Sequence, residues 1–225
     1  MLECACGTGL LTGAIAERCR TLLATDFSAN MLKRAKKKYG ALPNVTFRQA
    51  DILHLDGPDG QFDVVIAANV IHLLDEPYKA LAELDRVCRS GGTIIVPTYM
   101  NRSEQGKTSG FASTVGKAGA DFKRQFTFDT YKQFIAAAGY DDVDYAYCPG
   151  RVPCAVAVIH KAVKSKKKGS AEYSAEPFLH FVFIFSSAGG CLRRKRAAFD
   201  TLPAILTAPA RRSAARARRG SGSWR

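Results

Sequence analysis

The residues best placed to do chemistry open the chain: Glu3-Cys-Ala-Cys-Gly7-Thr-Gly9, with a second carboxylate, Asp26, closing the apolar run Leu22-Leu-Ala-Thr. Gly7 and Gly9 carry no Cβ, so the turn can be tight. Its amides can then press against a ligand where the next helix begins and the dipole is positive. An anionic or hydroxyl-rich cofactor suits such a turn. Three further positions end or follow strand-like runs: Asp51-Ile52, then Asn69 with His72, then Tyr99. Cys4 and Cys6 have no paired histidine and read as small buried fillers, not as nucleophiles or metal ligands.

The elements that must hold these residues alternate. Helical spacing over residues 10–20 follows the glycine turn, and the short apolar run at 21–25 suits a buried parallel strand. Ser28 caps a helix over 28–39, with Met31, Leu32 and Ala35 on the inner face and Lys33, Lys36 and Lys37 outward. Strands follow at 45–51 and 62–69, then an amphipathic helix at 74–88 that Ser90-Gly91-Gly92 stops before the strand 93–99. Five strands in alternation with helices imply a parallel sheet with right-handed crossovers. Residues 101–125 are polar and glycine-containing, the composition of a flexible lid; a capped helix at 127–138 and an antiparallel strand pair at 142–148 and 152–160 complete the domain.

The 225 residues carry a net charge of +13, but residues 1–160 hold 18 Lys+Arg against 17 Asp+Glu. The basicity belongs to residues 161–225, with a net of +12, so it says nothing about the ligand of the domain. The expected division is a domain at 1–163 and a disordered basic tail at 164–225. Arginine displaces lysine after residue 192, which suggests a tail of different history, from an altered reading frame or a fused segment; an arm for polyanions is the functional rival. Seven cysteines without a CxxC pair argue against a disulfide framework or a zinc ribbon, and point to reduced thiols in the cytoplasm with no metal. A secretory signal is disfavoured by Glu3 and three interrupting glycines. The longest apolar run, Phe178 to Phe185, is too short for a membrane span, which needs about 20 residues.

Glu3-x-Ala5-x-Gly7-x-Gly9 resembles motif I of the class I S-adenosylmethionine-dependent methyltransferases. Asp26, Asp51-Ile52, the run Phe62-Asp-Val-Val-Ile and Arg89-Ser-Gly-Gly-Thr-Ile-Ile-Val96 fall in the order that family uses, over residues 1–163. The likeness is to the small-molecule branch that includes ubiquinone and menaquinone biosynthesis methyltransferases. It implies an α/β, Rossmann-like, doubly wound, mostly parallel seven-stranded sheet with an antiparallel last strand. It also implies S-adenosylmethionine as cofactor and a small-molecule methyl acceptor as partner, with no specific nucleic acid. By the resemblance, Asp26 accepts both ribose hydroxyls, Asp51 accepts from the adenine amino group while Ile52 packs on the ring, and Glu3 holds the methionine ammonium indirectly or through the loop. Ala5, Cys6, Gly7, Gly9, Phe27 and Asn69 complete the expected cofactor set.

Methyl transfer is an in-line displacement, so a base is needed only when the acceptor carries a proton. His72 could deprotonate or hold an acceptor, although a histidine within Val-Ile-His-Leu-Leu is more often structural; Tyr99 could line the acceptor pocket or cover the sheet edge. Ala5 stands where the family commonly has a glycine. Met1 stands inside the first strand, leaving about three residues where about five or six are usual, so a truncated first strand and weak cofactor binding are expected. An NAD-dependent oxidoreductase is the first alternative, but Thr12 occupies the place of the third glycine in G-x-G-x-x-G. An RNA methyltransferase or nucleic-acid binder using the tail is the second, disfavoured by the near-neutral domain and by Asn69-Val-Ile-His72 after the fourth strand.

Overall fold

Seven runs, most of them short and rich in β-branched or apolar residues, build one sheet. In the computed structural model, which describes residues 1–100, 123–149 and 153–163, the strands are β1 (Leu2–Cys4), β2 (Leu22–Asp26), β3 (Val45–Gln49), β4 (Phe62–Ala67), β5 (Cys88–Tyr99), β6 (Val143–Cys148) and β7 (Cys154–His160). Their order is β3-β2-β1-β4-β5-β7-β6. The first five are parallel, and β7 inserts antiparallel between β5 and β6. All their carboxyl ends except that of β7 therefore lie along one edge. The order reverses at β1, where β2 and β3 run one way and β4 and β5 the other, and such a switch point leaves a crevice for ligands at the carboxyl ends.

The helices are α1 (Thr12–Ala16), α2 (Ala29–Tyr39), α3 (Pro77–Val87) and α4 (Phe128–Ala137). Helix α3 buries Ala80, Leu81, Leu84 and Val87 against the sheet; each fully buried leucine contributes about 1.5–3 kcal/mol. Helix α4 starts in a reciprocal cap between Thr127 and Thr130, and its buried Tyr131 hydroxyl donates to the Val96 carbonyl at 2.5 Å, fixing α4 on β5.

Several expectations need correction. Helix α1 has five residues, not the eleven over 10–20, because turns take up residues 10–11 before it and 17–18 after it. On α2 the buried residues are Leu32 and Ala35, whereas Met31, about 100° round the helix from Leu32, is 38% exposed. Strand β5 begins at Cys88, directly after α3, and absorbs Ser90-Gly91-Gly92 with a register shift opposite residues 62–64. A Cβ on Gly92 would lie 2.8 Å from the Asp63 carbonyl, so glycine there permits the close strand approach. The expected lid, apart from its last three residues, and the basic tail lie outside the described residues.

Candidate active site

The loop after β1 folds back on the end of β2. The Cys6 amide donates to the Thr25 carbonyl at 2.8 Å, Gly7 to Asp26 Oδ2 at 2.7 Å and Gly9 to the Cys6 carbonyl at 2.9 Å. The Gly7 and Gly9 amides thus have acceptors within the protein, contrary to the expectation that they face a ligand. What the glycines supply is conformation and space. Gly7 has φ 56° and nothing within 4 Å of where a Cβ would stand, so its open side faces unfilled space. A Cβ on Gly9 or Gly13 would strike the Tyr39 ring, at 3.0 and 2.7 Å; the two glycines, four residues apart, are the bed on which Tyr39 of α2 lies. That spacing was legible in the sequence; its partner was not.

Asp26 is the hub of the loop. Its Oδ2 takes the Gly7 amide and its Oδ1 takes the Ser28 amide at 2.8 Å, which leaves a lone pair on each oxygen for a hydroxyl-bearing ligand. Beneath it, Glu3 is 2% exposed and accepts from the Thr12 hydroxyl at 2.7 Å. Burial, with a smaller push from the Asp26 charge, raises its carboxyl to about 7, while the Thr12 bond pulls the other way. Thr12 was missed as a site residue; it is the hydroxyl within an otherwise apolar stretch. Burial also holds the Cys4 and Cys6 thiols up at about 12, so neither is a thiolate near neutrality.

Asp51 caps its own turn, Oδ1 accepting from the Leu53 amide at 2.9 Å, and Ile52 is buried beside it. Phe27, next to Asp26, is 72% exposed, and Leu10 and Met31 are also exposed. Strand β4 ends in Ala67, and Asn69 follows with φ 53°, its amide bonded to the Pro97 carbonyl at 2.8 Å. Its Oδ1 is buried with no hydrogen-bond partner. A left-handed asparagine with an orphaned acceptor is a costly arrangement, of the kind found where a ligand completes the bonding. His72, in the 3-10 turn Ile71–Leu73, is 3% exposed; burial alone lowers its imidazolium to about 4. Its ring lies 6.0 Å from that of Tyr99, whose phenol burial pushes upward.

The strand order turns these residues into a row: Asp51 after β3, Asp26 at β2, Ala5 to Gly9 after β1, Asn69 and His72 after β4, and Tyr99 at β5. At about 4.8 Å per strand the row from β3 to β4 spans about 14 Å. Such an edge can seat an extended nucleoside at one end and a second molecule at the other. Among the described residues, no group of three His, Cys, Asp or Glu side chains could hold a metal ion.

The family described as "Methyltransferase domain" matches residues 2–96. A phosphatidylethanolamine N-methyltransferase of Cereibacter sphaeroides is 36% identical over 107 residues, which cover 46% of this chain and 52% of that protein. A demethylmenaquinone methyltransferase of Renibacterium salmoninarum is 29% identical over 185 residues, 74% of this chain and 75% of that protein. The solved structure of a SAM-dependent methyltransferase from Aquifex aeolicus aligns with a TM-score of 0.54 at 18% identity, over 71% of this chain and 80% of that one, and so shares the fold. The chain spans about half the length of several curated relatives it matches. On these grounds residues 2–96 match a methyltransferase domain, and the chain resembles methyltransferases in sequence and in fold.

Proposed function

We propose that this chain binds S-adenosylmethionine along the row from Asp51 to Asn69 and transfers its methyl group to a small organic acceptor beside His72 and Tyr99. One observation carries the reading: at the switch point of the sheet, the loop of Gly7 follows β1, which lies between β2, ending in Asp26 with acceptor capacity to spare, and β4, leading to the orphaned Oδ1 of Asn69. These residues fit the cofactor, because a hydroxyl pair needs such a carboxylate and a donor group needs such an orphan. When bound, the cofactor supplies a methyl on a positively charged sulfur that leaves by in-line displacement.

The side chains then divide the work. Asp26 would accept the ribose hydroxyls, Asp51 an amino group of the base, and Ile52 and exposed Phe27 would flank its ring. Ala5 and Cys6 shape the loop, and Gly9 seats it on Tyr39. Glu3 acts from below, through the loop and Thr12, on the charge of the methionine ammonium. His72 stays neutral throughout the physiological range, so it serves as a hydrogen-bonding partner that orients the acceptor and is a weak base. That role suits an acceptor whose nucleophilic atom needs little help in losing a proton.

We take residues 1–163 as the catalytic unit. The relatives named above act, by their names, on phosphatidylethanolamine and demethylmenaquinone, which supports a small-molecule acceptor over nucleic acid. Neither the nicotinamide nor the RNA alternative gains support from them. The six cysteines among the described residues are free, which favours a reducing compartment such as the cytoplasm. No helix among the described residues is long and apolar enough to cross a membrane.

The test is calorimetry and thermal shift with S-adenosylhomocysteine and with NADH. We expect the first to bind and stabilise and the second to do neither, with Asp26→Ala abolishing the response. A radiolabelled methyl-transfer screen over small-molecule extracts then finds the acceptor. Binding of NADH in place of the nucleoside thioether, or undiminished binding by Asp26→Ala, would overturn the proposal.

A further inference from the structure

We infer that Arg124 is a positioning residue for the acceptor side, holding the segment after β4, and His72 with it, against the core. This rests on the acceptor lying beside His72, as proposed above. The 3-10 turn Ile71–Leu73 ends in an extended Leu74, so its last carbonyls have no partner within the turn. Arg124 meets three carbonyls of the segment at once. Its amide donates to the His72 carbonyl at 3.1 Å, and its guanidinium donates to the Leu74 carbonyl at 2.5 Å and the Asp75 carbonyl at 3.3 Å. Lys123 adds an ion pair to the Asp75 carboxylate at 3.3 Å.

The arginine is itself anchored. Phe126, two residues on, is buried, forms a parallel bridge with Met100 at the end of β5, and packs on the rings of Tyr131 and Phe134 at centroid distances of 5.4 and 5.2 Å. The clamp thus runs from the aromatic core through Arg124 to the loop that carries His72. A planar fork of five donors can serve two neighbouring carbonyls together, which a lysine ammonium on a flexible stem cannot do with the same preorganisation. Without the fork, water reaches the turn, and His72 leaves the dry setting that keeps it neutral.

The experiment compares Arg124→Ala and Arg124→Lys with the unaltered chain. Histidine titrations followed by NMR, with the His72 signal identified by its loss in His72→Gln, report the local environment. We expect His72 in Arg124→Ala to take up its proton about one pH unit higher or more, as a rehydrated imidazole should, with His54 and His160 unmoved. Affinity for S-adenosylhomocysteine should stay within about twofold, while labelled methyl transfer at dilute extract falls about tenfold and recovers as the extract is concentrated. Arg124→Lys, which retains the charge and the fold, should show a smaller effect in the same direction. An unmoved His72 titration in both variants overturns the inference, as does a loss of thioether affinity in step with methyl transfer. If the unaltered chain fails to bind the thioether, the proposed function fails, and the His72 titration still judges Arg124.

Discussion

Glu3→Gln offers the sharpest physical test, because Glu3 is a carboxyl the fold holds away from water beneath its own glycine loop. In the unfolded chain this group gives up its proton near 4.5; in the fold it does so near 7. The folded state therefore holds a proton that the unfolded state has lost, and stability falls as pH rises from about 4.5 to about 7. Above that window the penalty is constant at about 3 kcal/mol, and between pH 5 and pH 8 it grows by about 2.5 kcal/mol. Glutamine keeps the shape and the acceptor for Thr12 but carries no charge, so its stability curve should lack this slope. Urea unfolding of both proteins at pH 5, 6, 7 and 8 isolates the term, since every other titrating group is shared and cancels in the difference. Parallel curves for the two proteins would refute the reasoning and mean that Glu3 is better solvated than its surroundings indicate.

Ala5→Gly should stabilise the protein by about 0.5–1 kcal/mol in the same assay: alanine at φ 52° bears a left-handed penalty of about 1–2 kcal/mol, part of which glycine returns as unfolded-state entropy. Gly13→Ala should cost about 1–2 kcal/mol, as its methyl would stand 2.7 Å from the Tyr39 ring, and combining it with Tyr39→Ala should remove that cost; a double-mutant cycle measures the coupling. Asp26→Asn should lose about 1–3 kcal/mol by chemical denaturation before any ligand is added, because the two backbone amides now served by two carboxylate oxygens would find one acceptor and one NH2 group.

The row of site residues was legible because strand ends are written in the sequence: Asp26, Asp51, Asn69 and Tyr99 each end or follow a strand-like run, and a parallel sheet brings such ends to one edge. The turns of the chain around them were less so. Helix α1 reads as three turns of apolar spacing, yet Leu10 is 59% exposed and only five residues form helix, because turns close it on both sides, up to residue 11 and again at 17–18. Spacing likewise put Met31 with Leu32, but adjacent residues on a helix are about 100° apart, and only Leu32 meets the sheet. Contacts between distant segments, such as Tyr39 on Gly9 and Gly13 or Arg124 on the loop after β4, leave no periodic signal, since the sequence records what each residue can do and not what it meets.

Asp26 shows how the fold prepares a site before the ligand arrives. Placing a carboxylate at the end of β2 would by itself leave a charge with rotational freedom; the amides of Gly7 and Ser28 remove that freedom from two directions. The Gly7 bond also fixes the loop, so the open space beside Gly7 and the carboxylate that borders it are set by a single contact. Ordering that would otherwise be charged against ligand binding is completed on folding, which lowers the entropy lost on association. Asn69 represents the opposite choice: its left-handed backbone is held by the fold, and on the proposed reading its unmet Oδ1 is satisfied only when a ligand donor arrives. On the proposed reading, with one side satisfied in advance and the other held unsatisfied, affinity is concentrated on a molecule that carries both hydroxyls for Asp26 and a donor for Asn69, and each partial match loses one of the two gains.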